Sequence, residues 1–115
     1  MITNNIRKIP ALDGEDIILL NPSDVLFLYF QNRNVMVVTK QKEYRTRHSL
    51  NYWEEKLARL DFFRCYRSYL VNLNKVERIS VIFRNSYFLK IAGHKEYIPV
   101  SRKNALFIKE MLDLG

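Results

Sequence analysis

The 115-residue sequence predicts a mainly β fold with two short helices. Short β-branched and aromatic runs bounded by polar turn residues recur along the chain, whereas only two segments show the three-and-four spacing of an amphipathic helix. Composition adds a third observation. At 48% apolar and 13% aromatic, with three Gly and three Pro, the chain can bury enough surface to offset its conformational entropy, and its length suits one hydrophobic core.

Pro10 to Asp16 and Asn21 to Asp24 are expected as loops around a short strand, Ile17 to Leu20. Asp24 to Gln31 and Asn34 to Lys40 are expected to pair as a hairpin with a polar tip at Gln31 to Asn34. Lys42 to Arg47 alternates, with Tyr44 and Thr46 facing one way and Glu43, Arg45 and Arg47 the other. Ser49 is positioned to cap a helix in which Leu50, Trp53, Leu57 and Leu60 share a face, with Glu54 and Glu55 near its positive end. Strands follow over Tyr66 to Asn72, Arg78 to Phe83 and Tyr87 to Ile91, separated by turns at Asn72 to Lys75, Arg84 to Ser86 and Gly93. Tyr97 to Val100, kept extended in part by Pro99, leads to Ser101, the expected cap of a closing helix with Ala105, Ile108, Met111 and Leu112 on one face.

Nineteen Lys and Arg against twelve acidic residues give a formal charge of +7, which favours a polyanionic partner. No run approaches the ~18 apolar residues of a membrane helix, and the longest, Val25 to Phe30, has strand length. Met1 to Lys8 lacks the apolar stretch of a signal peptide, so a cytoplasmic location is expected. Cys65 is the only cysteine, which excludes an internal disulfide and a multi-cysteine metal site. With only His48, His94 and Cys65, without a recognisable spacing, neither catalysis nor a cofactor is expected.

Three places carry groups suited to nucleic acid. At the hairpin tip, Gln31, Asn32, Arg33 and Asn34 are successive side chains whose hydrogen-bonding groups match base edges. Asn also tolerates a left-handed turn, so the tip alone leaves a plain turn open. Ser101, Arg102 and Lys103 put two cations in the first turn of the closing helix, where the macrodipole disfavours them by roughly 0.3–1 kcal/mol each. A phosphate or guanine would compensate, and a tolerated surface charge is the alternative. Phe62 to Tyr69 alternates apolar anchors with Arg64 and Arg67, which are expected to reach outward either to a phosphate backbone or simply into solvent.

Phe62-Phe63-Arg64-Cys65-Tyr66-Arg67-Ser68-Tyr69-Leu70-Val71-Asn72 closely resembles the signature of the LytTR family, roughly F-x-R-x-H-R-S-Y-[IL]-V-N. Ile98-Pro99-Val100-Ser101-Arg102 resembles the family's second signature, and Asp24-Val25-Leu26-Phe27-Leu28 its opening strand. Tyr66 departs from the usual His, and Tyr29-Phe30 stand where many members carry an acidic or small residue. The resemblance implies an elongated antiparallel β-sheet sandwich of the LytTR type over residues 13–115, with 1–12 as an N-terminal segment or linker remnant. It also implies a sequence-specific DNA-binding domain of a bacterial transcription regulator that presents loops to successive major grooves. By position, Arg33 and Asn34 would enter one major groove, Arg102 the other, and Arg67 the minor groove between them. Tyr66, Ser68, Ser101, Lys103 and Asn104 would hold phosphates.

Family members tend to bind direct repeats with two protomers on one face of double-stranded DNA, which implies a monomer in solution that is cooperative on DNA. Most follow a receiver domain phosphorylated on Asp in a two-component system. This chain has no room for one, so either the domain is cut from a longer regulator or the regulator stands alone, and an upstream receiver domain or sensor kinase is the partner the resemblance implies. Two other classes compete. Seven Tyr and seven Phe on basic strands could stack single-stranded RNA, although no segment matches the aromatic RNP motif, and Trp53 with its helix face could instead bind a protein.

Overall fold

The longest apolar run is explained by its place at the centre of the fold. The computed structural model describes residues 7–82, 84 and 86–112. Strand β3 (Val25–Gln31) lies inside a seven-stranded antiparallel sheet, where Val25, Leu26, Phe27 and Leu28 are all buried. A strand covered on both faces has no polar side to alternate with, so its sequence reads as a continuous hydrophobic segment.

The sheet is ordered β2-β1-β5-β4-β3-β7-β6, its other strands being β1 (Ile9–Asp13), β2 (Asp16–Leu20), β4 (Asn34–Thr39), β5 (Glu43–Thr46), β6 (Phe62–Tyr66) and β7 (Tyr69–Asn72). A smaller sheet, ordered β10-β9-β8, contains β8 (Val76–Ile82), β9 (Ser86–Ile91) and β10 (Tyr97–Val100). Helix α1 (Leu50–Leu57) follows β5, and α2 (Arg102–Met111) follows β10. The whole measures 47 × 29 × 24 Å, an elongated shape.

Two cores sit on opposite faces of the large sheet. On one face Leu26, Phe27, Val38, Cys65 and Val71 pack with Leu89, Ile91 and Ile98 of the small sheet and with Ala105 and Ile108 of α2. On the other, Val25, Leu28, Val37 and Leu70 pack with Leu50, Trp53 and Leu57 of α1 and with Ile9 of β1. A register shift between Val25 and Phe27 lets the neighbours Leu26 and Phe27 both join the first core. Helix α1 is fixed more specifically, because the Trp53 indole donates to the Thr46 hydroxyl at 3.2 Å and that hydroxyl donates to the Val35 carbonyl at 3.1 Å.

The mainly β fold with two short helices is as expected, and the differences are local. Pro10 to Asp13, expected as loop, belongs to β1, where Ile9 and Ala11 are buried and Gly14, at φ +61°, makes the turn into β2. The expected boundary after residue 12 therefore falls inside β1. Proline had masked the strand, yet it occupies a register position opposite Leu19. The single strand expected over Tyr66 to Asn72 is instead the two strands β6 and β7, with Tyr66 opposite Tyr69 and the polar pair Arg67-Ser68 as the turn. On α2, Ala105 and Ile108 are buried, but Met111 and Leu112 are 52% and 48% exposed, so the buried stripe is shorter than its spacing suggested. Phe83, expected at the end of a strand, lies outside the described residues.

Asn72 ties these layers together. Its buried amide donates to the Val25 carbonyl at 2.9 Å and its Oδ1 accepts from the Asn74 backbone N–H at 3.1 Å. Replacing a buried donor strands its acceptor, so Asn72→Ala is expected to cost about 1–3 kcal/mol. Urea unfolding should show a lower midpoint at an unchanged m value.

Candidate nucleic-acid interface

The three segments singled out from the sequence lie side by side at one end of the large sheet. Gln31 pairs with Asn34 across the β3–β4 tip, and the Asn32 and Arg33 between them have φ of 52° and 66°. Two consecutive positive φ values mark a tight turn of the type I′ kind, whose twist matches that of the strands. Asn32 suits that conformation. Arg33 stands where glycine is preferred, at a cost of roughly 1–2 kcal/mol, and its side chain is exposed. Asn34 is half-buried and donates to the Asn32 carbonyl at 3.2 Å, bracing the tip from below.

The β6–β7 turn is the neighbour. Tyr29 pairs with Tyr69, and the Phe30 N–H donates to the Ser68 carbonyl at 3.0 Å, so the two turns are joined by backbone. Arg67 is exposed at the turn, Ser68 is half-buried, and the Tyr66 ring packs against the first core.

Arg64 does not reach outward as the alternation suggested. Its guanidinium folds back under the turn, with Nε donating to the Tyr66 and Arg67 carbonyls at 3.2 and 3.1 Å and Nη2 also donating to the Arg67 carbonyl. Nη1 donates to Asn51 Oδ1 at 2.8 Å and pairs with Glu54 at 2.9 Å. The sequence carried no sign of this, because both acceptors on α1 are far from Arg64 along the chain.

The third segment docks on the other side of β6. The Ser101 N–H donates to the Cys65 carbonyl at 3.1 Å, and the Asn104 amide donates to the Arg64 and Cys65 carbonyls at 3.1 and 3.3 Å. Ser101 caps α2, its hydroxyl oxygen accepting from the Asn104 N–H at 3.1 Å. Arg102 and Lys103 are left exposed in a first turn that holds no acidic residue. Arg33 and Arg67 likewise take no part in an ion pair among the described residues. Arg84, not singled out from the sequence, is a further exposed cation at φ 49°; because Ile82 pairs with Ser86 and Tyr87 with Val100, its turn lies at the same end as the start of α2.

Cys65 is buried beneath these segments. Burial pushes its thiol up to about 12, and Sγ faces the Pro99 carbonyl at 3.6 Å, so the thiol is held protonated and covered. His48 stacks on Tyr52 at 3.8 Å, and His94 meets the edge of Phe27 at 5.0 Å. Among the described residues no group of three or more His, Cys, Asp or Glu is placed to hold a metal ion, and no helix is long and apolar enough to cross a membrane.

Comparison with known proteins shows the family and the fold. The family model described as the LytTr DNA-binding domain matches residues 15–113. The transcriptional regulatory protein YpdB of Escherichia coli K12 is 28% identical over 113 residues, covering 98% of this chain and 46% of YpdB. The sensory transduction protein LytT of Bacillus subtilis is 32% identical over 108 residues, covering 94% of this chain and 44% of LytT. The chain thus spans somewhat under half the length of these curated relatives. Among solved structures, a LytTr DNA-binding domain from Bacillus cereus superposes with a TM-score of 0.82 at 24% identity, covering 92% of this chain and 96% of that one, a likeness of fold.

The Arg64 clamp has a measurable consequence. Arg64→Ala removes donors from two turn carbonyls and releases Glu54, for an expected loss of about 1–2 kcal/mol. Arg64→Lys should recover little of it in the same unfolding assay, since one ammonium cannot serve both the carbonyls and α1.

Proposed function

Because the chain belongs to the LytTR family of DNA-binding domains, we propose that it recognises a specific duplex sequence with loops rather than a helix, through the three segments aligned at the end of the large sheet. The observation that carries this is their order. The Arg67 turn lies between the Arg33 hairpin and the start of α2, with Ser68 bonded to Phe30 of β3 on one side and Cys65 of β6 bonded to Ser101 on the other. That order suits a minor-groove contact flanked by two major-groove contacts.

In this arrangement Arg33 and Asn34 read one major groove and Arg102 the next, with arginine suited to guanine and asparagine to adenine. Arg67 enters the minor groove between them, whose negative potential favours an inserted cation. Lys103, Ser68 and Tyr66 hold phosphates around these positions, fixing register without reading sequence. Ser101 keeps its hydroxyl hydrogen free for a phosphate while its oxygen caps α2. Asn104 acts from behind, since its amide is already engaged by two carbonyls and its effect on DNA comes through the helix it holds.

The functional unit we infer is a cytoplasmic transcription regulator whose DNA-binding domain is monomeric alone and binds direct repeats as two protomers. Relatives named as sensory transduction and response regulatory proteins support an upstream receiver domain or sensor kinase as its partner.

Selection of bound duplexes from a randomised pool tests the proposal directly. A recurring direct repeat, bound far more tightly than a scrambled duplex and with steep salt dependence, is expected; enrichment that tracks charge alone, or preference for single-stranded RNA in competition, would overturn it. On the selected site, Arg102→Ala should weaken binding by about 1–3 kcal/mol and relax preference at one base step. Lys103→Ala should leave sequence preference intact and reduce the salt slope by about one.

A further inference from the structure

We propose that the cleft between the large sheet and the β10 side of the small sheet, which runs up to Gln31 at the base of the hairpin tip, is a binding site for a guanidinium group. The cleft has a volume of about 470 Å³, and its walls include Phe27, Tyr29, Tyr69, His94, Glu43 and Glu96. Glu43 comes from β5 and Glu96 from the loop before β10, so separate parts of the chain bring two carboxylates to one opening.

Three features define the ligand. The first is charge. Glu43 and Glu96 form no ion pair among the described residues, on a chain whose formal charge is +7. Both bear on Tyr29, whose hydroxyl is raised to about 12 by burial, by the Glu43 hydrogen bond and charge, and by the charge of Glu96, while burial and Glu96 raise Tyr69. Two negative charges without a counter-ion favour a cation and repel an anion.

The second feature is the aromatic wall. Tyr29 and Tyr69 are stacked with centroids 5.9 Å apart, and Phe27 meets His94 edge-on at 5.0 Å. Aromatic rings attract a cation that has shed part of its hydration, and guanidinium is more weakly hydrated than ammonium, stacks on rings and forks onto carboxylates. The third feature is placement. Tyr29 and Phe30, which stand where many family members carry an acidic or small residue, both line the cleft. The guanidinium can come from a free small molecule or from an arginine side chain offered by a protein.

The test is an NMR titration of the ¹⁵N-labelled protein with Nα-acetyl-arginine methylamide, beside its lysine and citrulline counterparts. Saturable shifts centred on Tyr29, Tyr69 and His94 are expected for the arginine compound, with lysine weaker and the neutral citrulline inert. The double variant Glu43→Gln/Glu96→Gln should weaken the arginine compound about tenfold or more while thermal stability stays unchanged. A glycine-flanked, end-capped arginine peptide separates the sources: tighter binding than the single residue identifies a protein side chain, and equal or weaker binding a free molecule. No saturation, equal binding of citrulline or lysine, or indifference to the double variant would overturn the site.

Discussion

Everything in this molecule depends on one strand being buried twice. Strand β3 supplies side chains to two cores, Val25 and Leu28 to the one shared with α1 and Leu26 and Phe27 to the one shared with the small sheet and α2. Neither helix has a strand-free partner to pack against, so both take their positions from the large sheet. The same strand ends in the Arg33 turn and pairs with β7, whose first residue follows the Arg67 turn. Loops carried on a strand fixed from both sides inherit its rigidity, which is what a surface that must match a duplex requires.

The elements that could be read from the sequence are those whose signals are local. Ser49 and Ser101 announce their helices because capping is settled within three residues, and Leu50, Trp53 and Leu57 announce a buried face because helical spacing survives any tertiary context. Strand β1 was obscured because Pro10 and Gly14 are ordinary loop residues and only burial of Ile9 and Ala11 distinguishes them here. The division of Tyr66 to Asn72 was obscured because two polar residues in a β-branched and aromatic run are as compatible with an alternating strand as with a turn. For the candidate site, the exposed cations were legible as residue types out of place, whereas their adjacency was not. It rests on backbone bonds between Phe30 and Ser68 and between Cys65 and Ser101, separations no local pattern encodes.

The basic character of the chain divides into structural and free charge. Arg64, Lys42 and Lys90 are each paired with a carboxylate, and Arg64 serves the fold as a strut beneath a turn. Arg33, Arg67, Arg102 and Lys103, which take no part in an ion pair among the described residues, are carried by the hairpin tip, the β6–β7 turn and the start of α2. Net charge alone would have counted both kinds equally. The distinction matters for the proposed interface, because only the second kind can release counterions from DNA.

Arg33 carries a longer consequence. Its left-handed backbone is one that glycine adopts without penalty, so the hairpin would close more readily with a residue that reads nothing. Selection for stability alone would drift toward glycine at that position, and selection for recognition would hold arginine against the drift. On the proposed role of Arg33, a version of this domain stabilised by idealising its turns would gain robustness and lose a base contact.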